Sequence, residues 1–221
     1  FPDRFFDVGV AEANLISVAA GLASAGKIAF ASTFTVFGVE KGLNQFKQSV
    51  ANPRINVKLV TTHGGMSVGE DGASHFCLND IAIMRSLPNV TVILPADGIE
   101  TKAATWAIVE YKGPVFMRLS RPKTPLIYDD GYRWEGRDLN FEIGKSLTLR
   151  EGKDVTIVAT GLMVAESLRA ASDLAKEGID AGVINVHTIK PLDQDAILRA
   201  AHSTGALVTV EEHSVIGGLG G

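Results

Sequence analysis

Thr62-His63-Gly64-Gly65-Met66-Ser67-Val68-Gly69-Glu70-Asp71-Gly72-Ala73-Ser74-His75 gathers two histidines, two acids and four glycines in one stretch, directly after the apolar run Val57 to Thr61. Such a run reads as a buried strand, so the stretch reads as the loop that leaves its carboxyl end. Side chains that bind hydroxyls, carbonyls and phosphates are carried there on a backbone that lets a ligand approach closely. Gly65-Met66-Ser67-Val68-Gly69 also matches the nucleophile elbow of α/β-hydrolases. That mechanism needs the serine on a turn leading straight into a helix, and here helical periodicity resumes only near Asn79.

Outward from the loop, apolar runs alternate with helical periodicity. Strands are expected at Phe5–Val8, Ile28–Ala31, Val57–Thr61, Val90–Leu94 and Pro114–Leu119. Helices are expected at Ala11–Ala25, Phe34–Ser49, Asn79–Arg85 and Ile99–Tyr111. Continuous apolar strands separated by helices predict an α/β fold with a parallel sheet covered on both faces. The Pro-, Asp- and Gly-rich segment 122–140 reads as an interdomain linker. A smaller α/β unit follows over 141–221, with strands at Phe141–Leu149, Val155–Ala159, Ala181–Val186 and Ala206–Val210, and helices at Met163–Lys176 and Asp193–Ala201. The domain expectation is therefore 1–121, a linker at 122–140, and 141–221.

The 221 residues are 46% apolar and 21% charged, with a net charge of −4. No basic run or aromatic–basic interleaving points to nucleic acid, and the apolar runs are too short and interrupted to span a membrane as helices. The single cysteine, Cys77, excludes an internal disulfide and fits a reducing, cytoplasmic setting. Phe1-Pro2-Asp3-Arg4 does not read as a translation start, and the final glycine run reads as an interrupted strand-to-helix turn, so a fragment of a longer chain is expected.

Three further groups join the loop as candidates for chemistry. Glu12 falls on the first turn of a helix among apolar neighbours, where a carboxylate is costly unless something satisfies it. Phe34 and Phe37 are spaced to share a helical face where a strand ends, the place at which open parallel sheets collect ligands. Such a ring pair suits a flat heteroaromatic group. Arg118, Arg121 and Lys123 fall at or just past a strand end and suit an anion clamp. The spacing of His63, Asp71 and His75 matches no common zinc pattern.

Taken in order, Gly9-Val10-Ala11-Glu12-Ala13-Asn14, Thr33-Phe34-x-x-Phe37, the His63-to-His75 loop with Gly69-Glu70-Asp71-Gly72, and Arg118-Leu119-Ser120-Arg121 resemble the transketolase family over essentially the whole chain. Thr188-Ile189-Lys190-Pro191-Leu192-Asp193 is similar to a stretch of that family's C-terminal domains. The resemblance implies a pyrimidine-binding domain, lacking its first strand, followed by a C-terminal domain. It implies transfer of a two-carbon ketol unit between sugar phosphates, with thiamine diphosphate as cofactor. Glu12 then corresponds to the glutamate that hydrogen-bonds the aminopyrimidine ring and sets its tautomer. Phe34 and Phe37 correspond to the residues packed around that ring, although Glu40 stands where better-known members carry an aromatic residue. His63, Asp71 and His75 correspond to residues that contact donor and acceptor sugars, with the histidines as catalytic proton or oxyanion partners. Arg121, with His63, corresponds to the distal phosphate site.

The family's metal-binding Gly-Asp-Gly motif does not occur. The resemblance therefore assigns Mg2+ or Ca2+, and the diphosphate, to a separate diphosphate-binding domain or subunit, within a homodimer or a heterotetramer. Deoxyxylulose-phosphate synthases and the β-type subunits of 2-oxoacid dehydrogenases share the fold but differ at His63 or at Glu70-Asp71. A silent scaffold subunit is the non-enzymatic alternative.

Overall fold

The computed structural model describes residues 1–221. After a short 3-10 turn at Pro2–Arg4, the first unit runs α1 (Glu12–Ser24), β1 (Ala29–Phe34), α2 (Leu43–Phe46), β2 (Val57–Thr62), α3 (Asp80–Ser86), β3 (Thr91–Ile93), α4 (Gly98–Glu110) and β4 (Val115–Arg118). A connecting hairpin follows, β5 (Arg133–Trp134) and β6 (Arg137–Asp138). The second unit is β7 (Leu147–Arg150), β8 (Val155–Ala159), α5 (Met163–Lys176), β9 (Ala181–Asn185), β10 (Thr188–Lys190), α6 (Gln194–Thr204) and β11 (Leu207–Val210).

Two sheets carry the architecture, in the orders β1-β2-β4-β3-β10 and β11-β8-β9-β7. The first four strands of the larger sheet are parallel, and β8, β9 and β11 of the smaller one are parallel too. The fold is thus the expected α/β architecture with parallel sheets. One strand changes sides: β10, from the second unit, pairs antiparallel with β3 of the first. Lys190 Nζ anchors this crossing by donating to the Arg85 carbonyl at 2.8 Å and to that of Leu87.

Several local expectations need correction. Phe5–Val8 is not a strand. An extended run needs a ladder partner, and this one instead lines a groove together with Leu15, Val18 and Leu22 of α1 and Phe30 of β1. The single helix expected over Phe34–Ser49 is broken into a π-turn at Phe37–Lys41, the short α2, and a second π-turn at Lys47–Ala51. Gly42 leaves its mark here, because a Cβ at that position would meet Ile16 Cδ1 at 2.3 Å. The strand expected from Phe141 begins only at Leu147.

Segment 122–140 is more than a tether. Tyr128 and Tyr132 are buried and join Phe141, Leu149, Ile93, Ile108 and Met117 in one apolar cluster that spans both units. Burying each such ring contributes on the order of 2 kcal/mol. Their hydroxyls converge on the fully buried Glu100 of α4. Tyr132 donates to Oε1 at 2.7 Å, Asn185 Nδ2 of β9 donates at 2.9 Å, and the Ala96 N–H donates to Oε2 at 2.7 Å. Asp97 caps α4 at the Glu100 N–H (2.8 Å), while its other oxygen accepts from the Ile127 and Tyr128 amides.

Burial pushes the Glu100 carboxyl up from 4.5 to about 7, against the pull of these donors. The folded state therefore holds this proton more tightly than the unfolded chain does. The resulting stabilisation is complete below pH 4.5 and is lost as pH rises through 7. We expect denaturant titrations to show wild type losing about 3 kcal/mol between pH 4 and pH 8 that Glu100→Gln does not lose. Parallel stability-versus-pH curves for the two proteins would refute this.

Candidate active site

The candidate residues collect at the carboxyl ends of β1 and β2, where a parallel sheet leaves a crevice. Phe34 is the last residue of β1 rather than the start of a helix, and Phe37 opens the π-turn that follows. The two rings therefore do not share a helical face as expected. They still stack, with centroids 6.1 Å apart and planes 16° from parallel. Between them, Thr35 Oγ1 donates to the Thr62 carbonyl at 2.8 Å, which ties the end of β1 to the end of β2.

His63 also stacks on Phe34, with centroids 3.8 Å apart and planes 20° from parallel. Its backbone is left-handed (φ 63°), a costly conformation for a residue with a Cβ, and it turns the loop sharply out of β2. His75 returns from the far end of the loop and meets Phe37 edge-on at 5.3 Å. Four rings from three chain segments thus form one half-buried wall.

The charges lie along this wall. His63 Nε2 faces Asp71 Oδ2 at 3.9 Å, Asp71 pairs with Arg121 Nε at 3.2 Å, and Arg121 Nη2 bonds Glu70 Oε2 at 2.8 Å. Burial holds His63 below the usual histidine range, with the Asp71 charge pulling the other way. Glu12 opens α1 and is 6% exposed. Its Oε2 sits 2.6 Å from Lys41 Nζ, and that hydrogen bond keeps the carboxyl below its ordinary range despite burial. Lys41 also reaches to 5.3 Å from the Phe37 ring, so it links the acid to the aromatic wall.

The structure brings Glu12, Phe34, Phe37, His63, Asp71, His75 and Arg121 into this region. Arg118 does not join them as a clamp. It is 5% exposed and spends its charge on Asp80 (3.4 Å) and Glu212 (3.7 Å). The glycine pair 64–65 also has a different cause from the one expected. A Cβ on Gly64 would meet Arg118 Nε at 1.9 Å, and one on Gly65 would meet Glu212 Cδ at 2.2 Å. These glycines admit protein side chains, not a ligand. Sequence reasoning missed Lys41, Asp80 and Glu212. Glu212 follows the apolar strand ending at Val210, the same signal that drew attention to Arg118.

The family comparison agrees with this geometry. The transketolase pyrimidine-binding domain model matches residues 1–126 and the transketolase C-terminal domain model matches residues 144–221. The chain belongs to the transketolase family. It is 49% identical, over its full length, to 67% of a putative transketolase C-terminal section from Methanocaldococcus jannaschii. It is 48% identical, over 99% of its length, to 66% of a 6-deoxy-6-sulfo-D-fructose transketolase subunit from Clostridium sp. (strain MSTE9). A split-gene transketolase solved as an inactive β4 tetramer superimposes with a TM-score of 0.89 at 46% identity, covering all of this chain and 69% of that one. The chain thus spans about two thirds of the length of these relatives.

Nuclear magnetic resonance titration tests the electrostatics directly. We expect His63 to titrate below 6.5, and Asp71→Asn to move it lower still, because the neighbouring carboxylate is the group that raises it. An upward shift in the variant would contradict the arrangement.

Proposed function

We propose that this chain supplies the pyrimidine-binding half of an active site that transfers a two-carbon ketol unit from a ketose phosphate to an aldose phosphate. The observation that carries this reading is a buried carboxylate, Glu12, linked through Lys41 to the Phe37 ring of a half-buried aromatic wall that continues into a polar run of His63, Asp71 and Arg121. The residues fit the pyrimidine end of thiamine diphosphate. Glu12 Oε2 is buried, with no partner in the chain other than the Lys41 ammonium, and Phe34 and Phe37 are only half-buried. When bound, that cofactor supplies the electron sink the reaction needs.

The chain's own residues then have separable tasks. Glu12 hydrogen-bonds the pyrimidine ring nitrogen and sets where the ring's protons reside. Phe34 and Phe37 hold the ring flat and exclude water from one side. His63, neutral at pH 7 because of its burial, is available to donate or accept a proton at the sugar oxygens. His75 stands in the same wall, edge-on to Phe37. Asp71 reads a sugar hydroxyl. Arg121 meets the distal anion, which turns binding energy at a remote group into orientation at the reacting carbon. A guanidinium fits a phosphate or a sulfonate, and the relative named for a sulfo-sugar supports keeping both within the substrate class.

The metal and the diphosphate fall to a diphosphate-binding domain or subunit, because the sequence has no Gly-Asp-Gly motif. A heterotetramer or a homodimer would bring that part to this one, and the split-gene relatives support such a partnership. Boundaries at 121 and 141 are proposed for the two domains, alongside the spans that the family models match. No helix is long and apolar enough to cross a membrane, and a cytoplasmic location is part of this reading.

The decisive assay mixes the chain with its complementing subunit, thiamine diphosphate and Mg2+, and follows ketol transfer. Glu12→Gln is expected to keep the fold and lower turnover by about 10²- to 10⁴-fold, the range for losing a positioned proton partner. Near-normal turnover in that variant would sink the assignment. Arg121→Ala is expected to raise the KM for phosphorylated sugars about 10- to 100-fold, the cost of losing charged hydrogen bonds, with little change for unphosphorylated ones. Equal effects on both would remove Arg121 from the anion site.

A further inference from the structure

Glu212 stands just beyond β11, in the second unit, far in sequence from every residue given a role above. Its side chain nevertheless reaches into the middle of the histidine loop of the first unit. Oε1 accepts the Met66 N–H at 2.8 Å and also the Ser67 N–H, while Oε2 accepts the Ser67 hydroxyl at 3.2 Å. Two consecutive backbone donors on one carboxylate oxygen form a small anion-binding nest. The reverse side of the carboxylate faces Arg118 Nη2 at 3.7 Å, and the Glu212 carbonyl accepts from the same nitrogen at 2.9 Å.

The position of this contact along the loop is what gives it meaning. The chain leaves β2 at Thr62 and turns at His63. It is held at Gly65 by a two-way bridge to Cys77, with both N–H···O bonds at 3.0 Å. Met66 and Ser67 come next, and a short turn at Gly69–Asp71 then carries Asp71 back to face His63. The carboxylate therefore holds the stretch between His63 and Asp71, whose side chains face each other at 3.9 Å. A loop with four glycines has many backbone conformations to lose. Charge-assisted bonds to two adjacent amides restrict it strongly, and Gly65 has no Cβ that would block the approach.

We propose that Glu212 is a positioning residue of the active site, through which the C-terminal unit sets the spacing of His63 and Asp71. This rests on the ketol-transfer reading for its functional consequence, although the geometric part does not. Reach and charge can be separated. Glu212→Gln keeps the length of the side chain and a carbonyl oxygen for the amides but loses the charge. Glu212→Asp keeps the charge opposite Arg118 but falls one methylene short of the loop.

The test uses the full chain with its complementing subunit and reads two quantities: amide hydrogen exchange across residues 63–72, and sugar kcat/KM beside the thiamine diphosphate titration midpoint. Glu212→Asp is expected to speed exchange across the loop and to lower kcat/KM by about 10- to 100-fold, as a displaced positioning group does. The cofactor midpoint should stay within about twofold, since the charge-assisted hydrogen bonds that the shorter side chain gives up lie on the sugar side. Glu212→Gln, which keeps the reach but gives up the charge, is expected to change exchange and kcat/KM less than Glu212→Asp does, with the cofactor midpoint again within about twofold. The reverse pattern, with Asp tolerated and Gln impaired, would make Glu212 a counter-charge for Arg118 and overturn the proposal. Faster exchange without a kinetic effect would overturn it too, as would no change in either variant. A wild-type assembly with no ketol transfer would speak against the reaction assignment, and the exchange data alone would then decide whether Glu212 holds the loop.

Discussion

Arg118 ends β4 with its guanidinium almost fully buried between Asp80 of α3 and Glu212 of the second unit. A charge in that position is tolerable only when counter-charges and hydrogen bonds replace water around it. Asp80 depends on it in turn, since burial drives that carboxyl upward and the guanidinium, with His213, opposes the drift. Truncating one member of such a group typically costs about 3–5 kcal/mol, because the others remain buried without a partner. Around this cluster the two units, the glycine loop and the last strand are brought into register.

The contacts that join the units are polar as well as apolar. β10 extends the larger sheet from the other side of the chain, and Arg85 donates to the carbonyls of Gly217 and Gly218. The Ser214 amide donates to the Leu78 carbonyl at 2.9 Å. Tyr128 and Tyr132 cover Glu100 from the connecting segment. A junction built this way resists sliding, since each hydrogen bond has one geometry while apolar contact alone has many. That rigidity suits a crevice of the first unit whose loop is also held from the second.

The crevice combines a dry side and a charged side. Phe34 is covered by Phe37 and by His63, which leaves the histidine ring partly desolvated and poor at holding a proton. Asp71 and Arg121 lie beyond it, more open to water. A flat ring and a flexible polar chain can each find matching surroundings within a few side-chain lengths, as the proposed function requires. Lys41 adds a local counter-charge to Glu12, a feature the amino-acid order alone gives no reason to single out.

Much of this is legible in the chain because it depends on local pattern. Apolar runs bounded by turn residues locate β2, β8 and α5 almost to the residue, and the motifs around Glu12, Phe34 and His63 identify the family. Residues that act through their immediate neighbours carry that information in order and spacing. The remainder belongs to distance. Phe5–Val8 misleads because a strand needs a partner outside its own segment, and the stretch after Phe34 because it folds as two π-turns around a short helix, with Gly42 packed where a Cβ would strike Ile16. Arg118 resembles an exposed clamp until Asp80 and Glu212 close on it from other elements. Sequence alone determined which side chains cluster near strand ends and what chemistry they suit. Tertiary structure alone decided which of their charges face solvent and which are consumed inside, because burial and long-range pairing arise only when segments far apart in the chain come together.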